Sequence, residues 1–105
     1  MYARTPTSIL EEVIRIIFER GKTHGNYDHS MRSISDLWHA ADRRNRRLPS
    51  EDVALKMALV KLGRMDGGTF NMDDYLDAIG YLAIAAALAA EKEVQNIVDR
   101  PSDTE

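Results

Sequence analysis

The chain contains no cysteine. Disulfides and thiolate metal sites are therefore excluded, and a reducing compartment fits. Positive charge is not in excess either. The formal net charge is −3 over 105 residues, which argues against a sequence-nonspecific nucleic-acid coat, a class that is ordinarily basic. The first residues, MYARTPTS, lack an apolar h-region and a small-residue cleavage pattern, so a cytoplasmic rather than a secreted protein is expected. The longest uncharged run, 78–90, falls short of the about 20 apolar residues that span a bilayer, so no membrane partner is expected. No segment alternates with period two, so no strand is expected. Walker A, Rossmann, nucleophile-elbow and HExxH motifs are all missing, and His24, His29 and His39 lack metal-ligand spacing.

What is present is helical periodicity. Hydrophobic residues make up 44% and charged residues 30%, a globular balance. A chain of this length forms one domain, 1–105, that buries roughly two-thirds of its unfolded surface. Residues 1–7 and 100–105 are expected to be flexible. Four helices are predicted, over 9–22, 29–45, 50–65 and 72–98. Ser8 and Glu11 suggest a capping box, and Ser50 and Asn71 suggest N-caps. Gly21 and Gly25 bracket the first helix end. Ile34, Leu37 and Trp38 are expected in the core. The run Arg43-Arg44-Asn45-Arg46-Arg47 reads as a solvated helix end. The fold class expected is all-α, a compact four-helix domain with a long Ala-rich C-terminal helix. Because 78–90 is apolar almost all the way round, that helix must be covered on every side, and a homo-oligomer built around it is expected.

The candidate site follows from charges that fall inside apolar stripes. Val53, Met57, Lys61 and Arg64 share one arc of the third helix; Asp73, Asp77, Gly80, Tyr81 and Ile84 share one arc of the fourth. A short loop makes these helices antiparallel neighbours, so Arg64–Asp73 and Lys61–Asp77 pairs are geometrically allowed. Charges so placed must be paired or hold a ligand. Two readings stay open here: interhelical salt bridges that set packing register, or a phosphate site in which the cations contact the ligand. Gly80 costs about 1 kcal/mol in mid-helix relative to Ala, which suggests close approach by a backbone or a ligand, and Tyr81 beside it could stack on a base or fill the core. The segment from Arg20 to His29 mixes glycine, aromatic and polar groups as functional loops do, which adds His24 and Asn26 to the candidate ligand-binding set.

The patterns ERGKTHGNY (19–27), LW (37–38), PSEDVALKMALVKLGRM (49–65) and DDYLDAIGY (73–81) resemble a family of small phage and prophage proteins known only as a domain of unknown function. Gly25, Leu37, Trp38, Asp52, Val53, Ala54, Lys61, Arg64, Asp73, Asp77, Gly80 and Tyr81 match its pattern; His24 stands where Tyr is usual and Asn26 where an acid is common. More distantly the chain is similar to phage nucleotide-modification-associated proteins and, through them, to MazG-like all-α nucleoside triphosphate pyrophosphatases. The remoter resemblance implies Mg²⁺ held by a Glu-Glu-x-x-Glu run and a second acidic pair. Asp74 and Asp77 could supply that pair as metal ligands, but Glu11, Glu12 and Glu19 do not reproduce the first run. A site that loses acids and gains cations suits phosphate better than metal. The expected function is therefore nucleotide binding without turnover, in one form the sequestration of a cyclic or ADP-ribose-type immune signal. A Mg²⁺-dependent pyrophosphohydrolase and a purely structural oligomer are the alternatives.

Overall fold

The computed structural model describes residues 4–42, 46–66 and 68–99, apart from the side chain of His24. It consists of four helices: α1 (Pro6–His24), α2 (Tyr27–Ala41), α3 (Ser50–Met65) and α4 (Met72–Asp99). The domain is all-α, with no strand among the described residues. No helix among them is long and apolar enough to cross a membrane.

The first helix starts a turn earlier than its expected Ser8–Glu11 cap. Thr5 is the N-cap: its hydroxyl accepts from the Ser8 N–H at 3.1 Å, and its own N–H donates to Ser8 Oγ at 2.9 Å. Pro6 follows at the first helical position, where its fixed φ is already helical and its missing N–H costs nothing. Residues 6 and 7 are thus helical rather than flexible. Gly21 does not break the helix, which runs on to His24.

Gly25 ends α1 at φ 76° and ψ −164°, a region essentially restricted to glycine. Asn26 then caps α2, its Oδ1 accepting from the Asp28 N–H at 2.7 Å. These two residues form the whole joint between α1 and α2. Gly25→Ala should therefore lose about 1–2 kcal/mol by urea denaturation, although a Cβ there meets no atom within 4 Å. An unchanged midpoint would show that the joint relaxes.

α2 stops at Ala41, short of the expected Asn45. Residues 43–45 of the arginine cluster lie outside the described part of the chain. Arg47 pairs with Asp36, and the Arg46 N–H donates to Asp42 Oδ2. α3 begins at Ser50 with Pro49 as N-cap and no side-chain cap, so Ser50 is the first helical residue and not the cap. Asn71 caps α4 as expected, accepting from the Asp73 N–H at 3.0 Å.

α3 and α4 form an antiparallel hairpin, the most extensive contact in the molecule. Lys61 meets Asp77 at one end and Lys92 meets Glu51 at the other. Met31, Val53, Ala54 and Leu88 are its buried centre, flanked by Ile34, Leu48, Tyr81, Ile84 and Ala85. α2 rests on α3, and the buried Ser35 hydroxyl donates to the Leu48 carbonyl. α1 rests on α4. α1 and α2 meet least of all the packed pairs. Leu37 and Trp38, expected in the core, are exposed, Leu37 to 69%, because among the described residues no helix covers that side of α2.

Burial pushes the Glu51 carboxyl up, but the hydrogen bond from Lys92, a backbone N–H and the Lys92 charge outweigh it and hold the group below its ordinary 4.5. A carboxyl whose folded value is depressed contributes fully above the unfolded value and loses that contribution as pH falls through the folded one. Glu51→Gln should flatten the fall in stability below pH 4.5. The difference at pH 7 should be under about 1 kcal/mol, because Lys92 is largely in water. Parallel urea titrations of both proteins at pH 7 and pH 3 would check this.

Candidate functional site

The weak contact between α1 and α2 leaves a cavity of about 680 Å³. α1 contributes Val13, Ile16, Ile17 and Arg20, and α4 contributes Leu76, Asp77, Gly80, Tyr81 and Ile84. The joint and α2 add Asn26, Tyr27, Ser30 and Ile34, and Lys61 reaches in from α3. Most of this wall is aliphatic, because each helix turns its apolar stripe inward.

One charged group interrupts it. Asp77 Oδ1 accepts from Arg20 Nη2 at 2.9 Å, and Oδ2 faces Lys61 Nζ at 3.2 Å. The carboxylate thus gives one oxygen to each of two cations that come from different helices. Asp77 and Lys61 side chains are only 16% and 17% exposed, while Arg20 is half in water. The trio carries net charge +1. Each cation retains further N–H donors beyond the one it gives to Asp77, so a ligand anion can be bound without breaking the pairs.

The structure brings Lys61, Asp77, Tyr81 and Asn26 of the expected site to this one cavity. Asn26 also has a second task, since its side-chain oxygen caps α2. The His24 side chain lies outside the described part of the chain. Arg64 and Asp73 do not join the site. Both are exposed, and among the described residues neither forms an ion pair with the other or with a third group. They lie one helical turn beyond the Lys61–Asp77 level, at the α3–α4 turn, where no other helix packs over them.

Arg20 was not among the expected residues, although the reasoning that found Lys61 applies to it. Val13, Ile16, Ile17 and Arg20 fall on one arc of α1, so a cation stands in that apolar stripe too. Tyr27 and Ser30 carry no comparable signal, since a single aromatic or hydroxyl at a helix start is ordinary.

Gly80 lines the cavity. A Cβ there would meet only Val13 Cγ1, at 3.9 Å, which is ordinary van der Waals contact. Close helix approach is therefore not the reason for glycine at this position; its effect is to leave the cavity one methyl deeper.

The metal assignment to Asp74 and Asp77 does not fit. Asp77 is already neutralised by two cations. Asp74 lines a separate hollow of about 230 Å³ at the α3–α4 turn, beside Phe70 and Tyr75. Among the described residues no three His, Asp or Glu side chains converge as a metal site would require.

A family profile matches residues 8–89, a span that takes in all the cavity residues. The chain belongs to the family described as domain of unknown function DUF6378. No curated protein and no solved structure matches it. The DUF6378 match reaches all four helices, stopping ten residues short of the end of α4, and assigns no chemistry to them.

Proposed function

We propose that this DUF6378 protein binds a small molecule of nucleotide size that carries a phosphate, and does not turn it over. The observation behind this reading is the Arg20–Asp77–Lys61 trio set into the wall of an otherwise apolar cavity. Two cations oriented by a shared carboxylate suit a phosphate, with Arg offering a planar fork and Lys a point charge. The volume lies within the roughly 300–1,000 Å³ of small-molecule sites. Tyr27, Tyr81 and the isoleucines would receive the apolar and aromatic part of the ligand. Hydrolysis through Mg²⁺ is disfavoured because, among the described residues, the acids that would hold the metal are not assembled. The resemblance to phage proteins extends the proposal to a nucleotide signal sequestered inside a bacterial host.

The test is a thermal-shift screen against nucleoside mono- and triphosphates, cyclic di- and trinucleotides and ADP-ribose, with and without Mg²⁺, followed by chromatography of the ligand. At a hundredfold excess over its dissociation constant a ligand adds about 2.7 kcal/mol, a rise of roughly 10 °C in a domain this small. The expected result is a Mg²⁺-independent shift with the ligand recovered intact. A shift that needs Mg²⁺ and yields cleaved ligand would replace this reading with the pyrophosphohydrolase, and no shift with any compound would remove it. Gly80→Ala provides a control on the siting. It should raise stability by about 0.5–1 kcal/mol through helix propensity while weakening the ligand that shifts the wild type, because the added methyl enters the cavity. Equal affinity in the two proteins would place the ligand elsewhere.

A further inference from the structure

The protomer leaves an unusual amount of surface in water. Its accessible area is 8178 Å², whereas a compact monomer of 11.9 kDa exposes about 5,900 Å². Its radius of gyration is 16.9 Å with extents of 64 × 38 × 27 Å, against about 13 Å for a compact chain of this length. The excess is about 2,200 Å², and even half of it exceeds the about 800 Å² that each partner contributes to a standard interface.

The described helices contribute exposed apolar side chains to it. α3 exposes Leu55, Leu59 and Leu62, spaced along one stripe. α4 exposes Leu82, then Ala86 and Ala90, then Val94 and Ile97. α3 supports α4 only as far as the Glu51–Lys92 bridge. Beyond it the helix continues to Asp99 with every residue exposed, Val94 to 60% and Ile97 to 57%. β-branched residues are poor helix formers, and a helix end without packing frays. Something outside the protomer must cover this segment if it is to remain helical.

We infer that a second copy of this chain covers it, with the two α4 helices packed antiparallel about a two-fold axis near residue 88. The stripe is bulky at both ends and small in the middle. An antiparallel dyad sets Leu82 of one copy against Val94 of the other at each end and lets Ala86 approach Ala90 between them, so the surface is complementary to itself. It also separates the two acidic first turns, each with Asp73 and Asp74, and opposes the helix dipoles; a parallel pair would bring the acids together. This inference does not depend on what the cavity binds.

Light scattering of the full chain at tens of micromolar is expected to give about 24 kDa, twice the chain mass; a mass of 11.9 kDa would overturn the inference. Ala86→Glu places a charge at the centre of the face but at an exposed position of the protomer. It should weaken the dimer at least about 100-fold while circular dichroism stays helical, and an undiminished dimer would overturn the siting. Because the chain has no cysteine, single substitutions report the register cleanly. Leu82→Cys mixed with Val94→Cys should form a disulfide on mild oxidation. Ile97→Cys alone should not, since the two copies of that residue stand roughly 25 Å apart; rapid crosslinking of Ile97→Cys would establish a parallel pair and overturn the antiparallel one.

Discussion

Asp77→Ala is expected to lower the unfolding free energy by about 2–4 kcal/mol, more than removal of either cation it bridges. The loss is asymmetric because the carboxylate is the shared member. Without it, Lys61 at 17% exposure keeps its charge inside an apolar wall with no counter-ion, and Arg20 loses its one ion-pair partner among the described residues. Breaking a buried pair from one side costs about 3–5 kcal/mol, mostly through the charge left behind. The lower range is expected here because Arg20 can swing into water and Lys61 is not fully enclosed. Urea denaturation of Asp77→Ala beside Asp77→Asn would separate charge from shape, since the amide keeps the volume and can still accept from Arg20. A loss under 1 kcal/mol in both would mean that the trio contributes little to the fold.

Lys61→Met should behave in the opposite way, with stability nearly retained and affinity lost. Asp77 keeps the Arg20 hydrogen bond at 2.9 Å, so no uncompensated charge remains, and Met fills the space of the lysine stem. Stability should stay within about 1 kcal/mol of wild type. A ligand phosphate that contacts Lys61, however, loses a charge-assisted hydrogen bond of about 1.5–3 kcal/mol, which is roughly a 10- to 150-fold rise in Kd. Titration calorimetry on the nucleotide that shifts the wild type, with denaturation of the same variant, reads both quantities. If Kd does not change, Lys61 is a packing residue, and the site reading fails independently of whether the protein binds nucleotides. Arg64→Ala is the matching control: an exposed residue outside the cavity should leave both quantities unchanged.

How much of this was legible beforehand differs from helix to helix. The α3–α4 hairpin and the Lys61–Asp77 pair follow from periodicity, because both charges interrupt apolar stripes on helices joined by a short turn. Arg64–Asp73 has the same periodicity and does not form. Spacing along a helix gives an azimuth but not the depth at which a neighbour ends, and at the Arg64 level no helix lies over the turn. Trp38 fails similarly: an apolar residue on the right arc of α2 is buried only if another element reaches that arc, and none among the described residues covers it. Arg20 was readable by the same azimuthal argument, but its partner Asp77 is 57 residues away along the chain, and no local pattern pairs them.

The amino-acid sequence by itself determined the all-α class, the number and approximate bounds of the helices, a glycine-marked end to the first helix between residues 21 and 25, and the presence of charge within apolar faces. These are properties of backbone propensity, capping and hydrophobic period, which act within a turn or two of chain. Only the tertiary structure decided that α1 and α2 diverge to leave a cavity, that Arg20 rather than Arg64 completes the cationic pair, that Asp74 and Asp77 face different hollows, and that α4 outruns the helix supporting it. Those features depend on where each helix ends against its neighbours. That is set by the whole packing arrangement, which strong local periodicity leaves open.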